Sequence, residues 1–279
     1  MKFGINLLLW SDGLTDQLLP VLEQLKELGY DGVELPILDL NPDHFAAWGK
    51  RLDDLGLART GVTLRTANDN PISPDERIRA TGIANNKLAL ECAAAAGCTH
   101  LVGPFHSALG EFTGAGPTAD EWKCGVAAMQ SMAEDAAQHN ITLCVEYLNR
   151  FECYFLTCAA DAARFVDEVN NPACQSMHDT FHAHIEEKSQ KEAIHTLGNR
   201  ISHVHFSAND RATPGTGQIA WDDVFDGLRQ INYDGWLMVE AFGLALPALA
   251  AATKIWRKMY LSEMQLAKDA LRFMKQKVT

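Results

Sequence analysis

The sequence predicts an α/β fold: eight strand–helix units closed into a single (β/α)8 TIM barrel over residues 1–279, with an extended C-terminal helix. Three observations predict it. Short apolar runs alternate with stretches of helical period along the whole chain. The runs are mostly apolar on both faces, as strands of a buried parallel sheet must be. The chain has 279 residues and is 47% hydrophobic, which suits one barrel of ~250 residues. No linker, low-complexity stretch or charge run divides it.

The elements follow in order. FGINLLLW reads as the first strand and DQLLPVLEQLKELG as the first helix, ended by Gly29. DGVELP is the second strand, and DHFAAWGKRLDDLG the helix after it. ARTGVTL is the third strand. Pro74 then opens a long helix through ERIRATGIANNKLALECAAAAG, with Pro in the first turn and Gly at the end as capping favours. THLVG is the fourth strand and ADEWKCGVAAMQSMAEDAAQHN the fourth helix. The last four strands lie in ITLCVE, CQSMHD, ISHVHF and GWLMVE. Their helices are CAADAARFVDEV, EEKSQKEAIHTLG, WDDVFDGLRQIN and a long C-terminal one from Ala245 to Gln276. That last helix exceeds what closure needs. We expect it to cover part of the barrel bottom or to form an oligomer contact.

Glu146, Asp179, His205 and Glu240 sit at the ends of these four strands, spaced by 33, 26 and 35 residues. Each spacing holds one strand–helix unit. In a parallel barrel the strand ends converge on one face, so four consecutive units aim three carboxylates and an imidazole at a common point. These are ligand types for a hard or borderline divalent cation. Without a cation the three carboxylates would repel and their pKa values would rise. A single acid at a strand end is often only a helix cap, but WLMVE and TLCVE each carry one acid, at the last position.

Further polar residues follow the same strand ends: Glu152, His182 and His184, and then Asn209, Asp210 and Arg211. An Arg, a His and a Glu around a metal suit a polyhydroxylated substrate. His178 and His203 are read as alternating with the strand-end residues and facing the helices. His106 lies in the fourth loop, and Glu34 either lines the mouth or caps a helix. Trp221 is read as packing. His184 is read as a loop or supporting residue.

Bulk properties narrow the classes. A net charge of −12, with Lys and Arg dispersed, argues against nucleic acid. The seven cysteines are odd in number and form no CxxC pair, which suits reduced thiols in a cytoplasmic protein. MKFGINLLLWSDG does not read as a signal peptide, and no apolar run approaches the ~18 residues of a membrane span.

The segments VEYLNRFE, HDTFHAHIEE, HVHFSANDRATPGTGQIAW and MVEAF resemble the ketose 3-epimerases, the D-tagatose, D-psicose and L-ribulose 3-epimerase group of the xylose isomerase-like barrels. The resemblance is dense in the C-terminal half and mainly one of pattern before it. It implies that Glu146, Asp179, His205 and Glu240 bind one divalent metal, usually Mn2+, sometimes Co2+ or Mg2+. It implies sugar contacts from Glu152, His182 and Arg211, with Trp10 and Phe242 as apolar walls, and a homodimer or homotetramer. Glu146 and Glu240 are then the acid/base pair, inverting C3 of a free ketose through a cis-enediolate.

Three positions depart from the family pattern. Ala183-His184 stands where Met-Asn is frequent, the fourth loop lacks a Trp found in some members, and Ala208 replaces a common Glu. They bear on which sugar is preferred. Aldose–ketose isomerisation would use the same site, and hydroxypyruvate isomerase and inosose dehydratase share the scaffold. A three-metal DNA-repair endonuclease and a non-catalytic sugar sensor are the readings from other classes. The charge and the lack of an evident second ligand cluster oppose the nuclease, and the acid/base pair opposes the sensor.

Overall fold

A computed structural model describes residues 1–278. Eight strands form a closed, wholly parallel barrel in sequence order, with β1 (Lys2–Asn6) beside β8 (Trp236–Val239). Between them run β2 (Gly32–Pro36), β3 (Ala58–Val62), β4 (His100–Gly103), β5 (Thr142–Glu146), β6 (Cys174–Asp179) and β7 (Ile201–Phe206). The helices are α1 (Leu19–Leu28), α2 (Pro42–Leu55), α3 (Glu76–Ala96), α4 (Ala119–Gln138), α5 (Ala159–Val169), α6 (Thr180–Glu186), α7 (Gln190–Leu197), α8 (Trp221–Gln230), α9 (Pro247–Ala252) and α10 (Glu263–Val278).

Alternation along each strand separates two interiors. Outward residues such as Ile5, Val33, Leu101, Val145, Val204 and Leu237 join the main core under the helices. Val62, Val102, Cys144 and Met177 instead share a cluster with Leu8, Phe242, Ala250 and Ile255. Trp236 is fully buried. A Cβ on Gly32 would meet its indole at 2.7 Å and the Ala58 carbonyl oxygen at 2.3 Å, so the close approach requires glycine there.

Three expected elements differ. The first strand stops at Asn6, whose side chain accepts the Leu8 N–H and starts a 3-10 turn over Leu7–Leu9. The helix expected over 186–198 forms only over Gln190–Leu197, and an unexpected short helix, α6, precedes it. Asp179 caps α6 directly after β6, and Ser189 caps α7. The long C-terminal helix is broken: α9 ends at Ala252, and Lys254 takes a positive φ of 60°. The apolar cluster holding Ala250 and Ile255 places the connecting segment against the barrel mouth, not the bottom. α10 closes the outer helix layer beside α1. Its Phe273 packs on Trp221 and Phe225, and its Ala267 carbonyl accepts the Tyr30 hydroxyl.

Candidate active site

Barrel closure brings Glu146, Asp179, His205 and Glu240 together at the C-terminal strand ends, each at most 6% exposed. The His205 Nδ1 atom is their focus. It lies 3.3 Å from Glu240 Oε1, 3.7 Å from Asp179 Oδ2 and 3.9 Å from Glu146 Oε1. It is buried and has no hydrogen-bond partner. Such an atom, ringed by carboxylate oxygens, is what a metal ligand looks like without its ion. Ligand atoms of Asp179, His205 and Glu240 lie within 4.8 Å of one another, and so do those of Glu146, Asp179 and His182. The donor set fits a divalent cation.

The other nitrogen of His205 explains why Nδ1 stays free. Nε2 donates to Glu34 Oε1 at 2.8 Å, which leaves the Nδ1 lone pair facing the carboxylates. Glu34 itself accepts from Asn6 Nδ2 at 2.9 Å and from Thr60 Oγ1 at 2.8 Å. It therefore neither lines the mouth nor caps a helix, but sits inside the barrel beneath the cluster. His203 lies there too, with Nε2 3.0 Å from Glu34 Oε2. It precedes His205 by two residues and so shares its face, which overturns the expectation that it points to the helices. His178, one residue before Asp179, does face outward, toward Gln190 of α7 and Tyr147.

Asp179 combines the two roles that the sequence left open. Its Oδ1 accepts the N–H groups of Phe181 and His182 as a helix cap, while Oδ2 turns into the site. Arg211 donates to Ser207, to Asp179 and to Glu240 Oε2. Its guanidinium is 3.8 Å from the Phe181 ring centre and 5.1 Å from that of Phe242. Arg211 also holds a left-handed φ of 61°, fixed by its N–H to Ala208 and by the Phe242 N–H to its carbonyl.

His182 holds a conflict of donors. The Asn149 backbone N–H donates to its Nδ1 at 3.0 Å, so the ring proton sits on Nε2. That Nε2 lies 3.1 Å from Arg211 Nη2, and two donors face each other. An oxygen acceptor placed over the pair, within reach of both, would satisfy them. Asn149 Nδ2 also reaches Glu152 Oε1 at 2.8 Å, which ties Glu152 to His182 through Asn149.

Electrostatics follow from this burial. Desolvation pushes Glu146 well above the usual carboxylate range, and the Glu240 charge adds to it. Asp179 is raised to about 7, chiefly by burial. Burial also acts on Glu240, but His205 and Arg211 outweigh it and hold this carboxyl low. Burial opposes charge on His205 too, but Glu34 and Glu240 overcome it and favour a second proton on Nδ1, which a cation bound among these carboxylates would displace. His182 is kept neutral by burial and by the neighbouring Arg211.

A cavity of about 150 Å3 opens over this cluster, lined by Glu146, Glu152, His182, Arg211, Glu240 and Phe242 together with a set of apolar side chains. Trp10 is not among the lining residues. It is half-buried against the main core, and Leu8 lines the cavity from the same loop. His106 lies behind the site, bonded to the Glu146 carbonyl at 2.6 Å, and His184 is exposed on α6. Trp221 stacks on Phe206 in the core. The roles of Glu34, Asn149 and Ser207 escape a linear reading. Their only signal is a polar residue inside a short apolar strand, as at Glu34, or shortly past a strand end.

The family description "Xylose isomerase-like TIM barrel" matches residues 22–277. A D-psicose 3-epimerase of Agrobacterium fabrum is 30% identical, over 93% of this chain and 91% of its own. An L-ribulose 3-epimerase of a Methylomonas species is 30% identical, over 99% and 98%. The crystal structure of D-allulose 3-epimerase from Methylomonas sp. in complex with D-allulose superposes with a TM-score of 0.93 at 28% identity, covering 99% of this chain and 97% of that one. This chain thus belongs to the xylose isomerase-like TIM barrel family and, within it, to the ketose 3-epimerases.

Proposed function

We propose that the enzyme inverts C3 of a free ketose of the D-tagatose, D-psicose, D-fructose or L-ribulose type. Glu146 and Glu240 are its acid/base pair. One divalent metal per chain, Mn2+ first and Co2+ or Mg2+ as alternatives, is held by Glu146, Asp179, His205 and Glu240. The observation that carries this reading is the pair of glutamates on β5 and just past β8. They line one cavity, and an Oε1 of each lies within 3.9 Å of the orphaned His205 Nδ1. The relatives' named activities support the reaction type.

When bound, the cation supplies Lewis-acid stabilisation of the negative charge that develops on the sugar oxygens. The chain's own residues do the rest. One glutamate takes the C3 proton and leaves an enediolate. The other returns a proton to the opposite face, so the carbon inverts while the sugar stays in place. A bound cation would favour the carboxylate form of both glutamates, and Arg211, paired with Glu240, holds that side chain in place. His182 Nε2–H and Arg211 Nη2 orient O1 and O2 of the sugar, both donors lining the cavity side by side.

The test is deuterium exchange in D2O with the Mn2+-loaded protein. Label at C3 together with the 3-epimer is the expected result. Label at C1 or C2 with an aldose product would replace the epimerase by an isomerase. Glu240→Gln refilled with metal should lose at least a hundredfold in kcat. A near wild-type rate would remove Glu240 from the acid/base pair. Elemental analysis should find one metal per chain. A second ligand group, Glu34, His203 and His205, does exist, but it shares His205, and Asn6 and Thr60 also bond to its Glu34. Three metals would revive the nuclease reading.

Unpaired thiols at all seven cysteines support a cytoplasmic setting. Trp256 and Leu261, 72% and 80% exposed beside the mouth, support a homodimer or homotetramer, which light scattering would size. Among the described residues no helix is long and apolar enough to cross a membrane.

A further inference from the structure

His106 is fully buried and is not among the residues that line the cavity, yet it is bonded to a glutamate that does. Its Nε2 lies 2.6 Å from the Glu146 carbonyl oxygen. A carbonyl only accepts, so the ring carries a proton on Nε2. Burial holds its pKa down at about 4, which leaves the ring neutral and Nδ1 an acceptor. The Ser107 hydroxyl donates to that Nδ1 at 2.9 Å. With its proton so committed, Ser107 Oγ accepts from the Cys153 thiol at 3.6 Å, and Cys153 Sγ accepts the Phe155 N–H at 3.2 Å. Each bond in this chain has one direction, so the tautomer and tilt of His106 are fixed from behind. Phe155 and Phe165 flank the ring, with centres 5.6 and 6.4 Å away.

The carbonyl that His106 holds is at a junction. Glu146 ends β5, and the 146–147 peptide leads into the loop that carries Leu148, Asn149 and Glu152. Turning that peptide would swing the Glu146 side chain at one end and this loop at the other. The segment bearing His106 is itself held on two sides. Asn86 Nδ2 donates to the Phe105 carbonyl at 2.9 Å, and the Leu109 N–H donates to the Arg65 carbonyl at 2.9 Å. Arg65 and Asn86 are buried and bonded to each other at 2.7 Å. On the other side the Gly110 N–H donates to the Glu152 carbonyl at 2.8 Å. A donor on so fixed a support can set the position of what it binds.

We propose that His106 is a positioning residue for proton transfer: it fixes the 146–147 peptide and so aims the Glu146 carboxylate at the reacting carbon. The role rests on the C3-epimerase reading, in which Glu146 exchanges a proton with C3. Misplacing a reacting group by about 1 Å costs on the order of a hundredfold in rate. The loss falls on kcat, because His106 does not line the cavity and ground-state binding of the sugar does not depend on it.

The experiment uses the full-length protein at saturating Mn2+ and follows epimer formation and C3 deuterium incorporation in D2O. The sugars are the fastest of the four ketoses and its C3 epimer. His106→Leu removes the donor, and kcat should fall about ten- to a hundredfold with KM within about threefold of wild type. His106→Gln, whose amide reaches where Nε2 stood, should return kcat to within about fivefold of wild type. With sugars deuterated at C3, the kinetic isotope effect on kcat should rise in His106→Leu for one epimer and not for the other, because only Glu146 is displaced. A wild-type kcat in His106→Leu, with only the melting temperature lowered, would overturn the inference and leave the epimerase reading standing. Isotope effects that rise equally for both epimers would do the same. Where His106→Leu does not fold, Ser107→Ala removes the donor to Nδ1 and should lower kcat about three- to tenfold, and an unchanged kcat there would overturn the inference. No C3 exchange by the wild-type protein in any of the four ketoses would overturn the epimerase reading and the role of His106 with it.

Discussion

Glu34→Gln tests whether the proposed metal ligand His205 is set by a residue from the opposite half of the barrel. In the native chain both Glu34 oxygens only accept: from His205 Nε2 at 2.8 Å, Asn6 Nδ2 at 2.9 Å and Thr60 Oγ1 at 2.8 Å. A glutamine turns one of these positions into a donor facing donors. Either one native bond is lost, or the His205 proton moves to Nδ1 and blocks the face turned to the carboxylates. Losing a supporting carboxylate of this kind weakens metal binding about 10- to 100-fold, or roughly 1.4–2.7 kcal/mol. Isothermal titration with Mn2+, checked by the electron paramagnetic resonance signal of free Mn2+, reads this directly. The expected variant is folded, binds Mn2+ 10- to 100-fold more weakly and regains much of its kcat at saturating Mn2+. A dissociation constant within twofold of wild type would refute the reasoning. A shift confined to the melting temperature of the metal-free protein would make Glu34 a merely structural residue.

Three further outcomes are expected. Arg211→Lys keeps the charge but loses the fork that joins Asp179, Ser207 and Glu240 and the stack between Phe181 and Phe242, so kcat/KM should fall by about 30-fold, near 2 kcal/mol, in steady-state assays at saturating metal. Asp69 is held at about 2, because hydrogen bonds from Thr66, Asn85 and Arg65 outweigh the burial that would raise it. Its folded pKa lies below its unfolded one, so its stabilisation is present above about pH 4 and is lost as pH falls through 2. Asp69→Asn should therefore be less stable than wild type in urea at pH 7, with the gap narrowing at pH 3. Gly103 has a φ of 117°, and a Cβ there would lie 2.4 Å from the Thr63 carbonyl oxygen, so Gly103→Ala should cost about 2–4 kcal/mol in urea melts and raise KM through the displaced Thr63–Leu64 wall.

Regular elements were legible because their signals are local. Pro42 at the first turn of α2, Gly56 after it, and the Thr118–Glu121 capping box of α4 announce their helices in a few neighbouring residues. The irregular ones turn on single dihedrals or side-chain bonds that periodicity does not report. Asn6 ends β1 by accepting one N–H, and Lys254 breaks the C-terminal helix by taking a positive φ. Neither residue type demands that behaviour. The 253–262 segment between α9 and α10 then lies against the mouth, where Ile255 joins the inner apolar cluster.

The site divides along the same line. Glu146, Asp179 and His205 were legible because period-two geometry fixes which strand residues point inward, and parallel order fixes which ends meet. The same rule, counted correctly, puts His203 on the face of His205 and His178 on the face opposite Asp179. Glu34 is different in kind. It is 171 residues from His205, and nothing near it in the chain distinguishes it from a helix cap. Only closure of β1 on β8 carries β2 across from β7, so that a carboxylate from the half of the barrel lined with leucines reaches the imidazole of the half lined with acids. The two halves thus differ at the mouth, one lined with leucines and the other with acids. Beneath the mouth the Glu34–His205 hydrogen bond joins them and sets the orientation of His205.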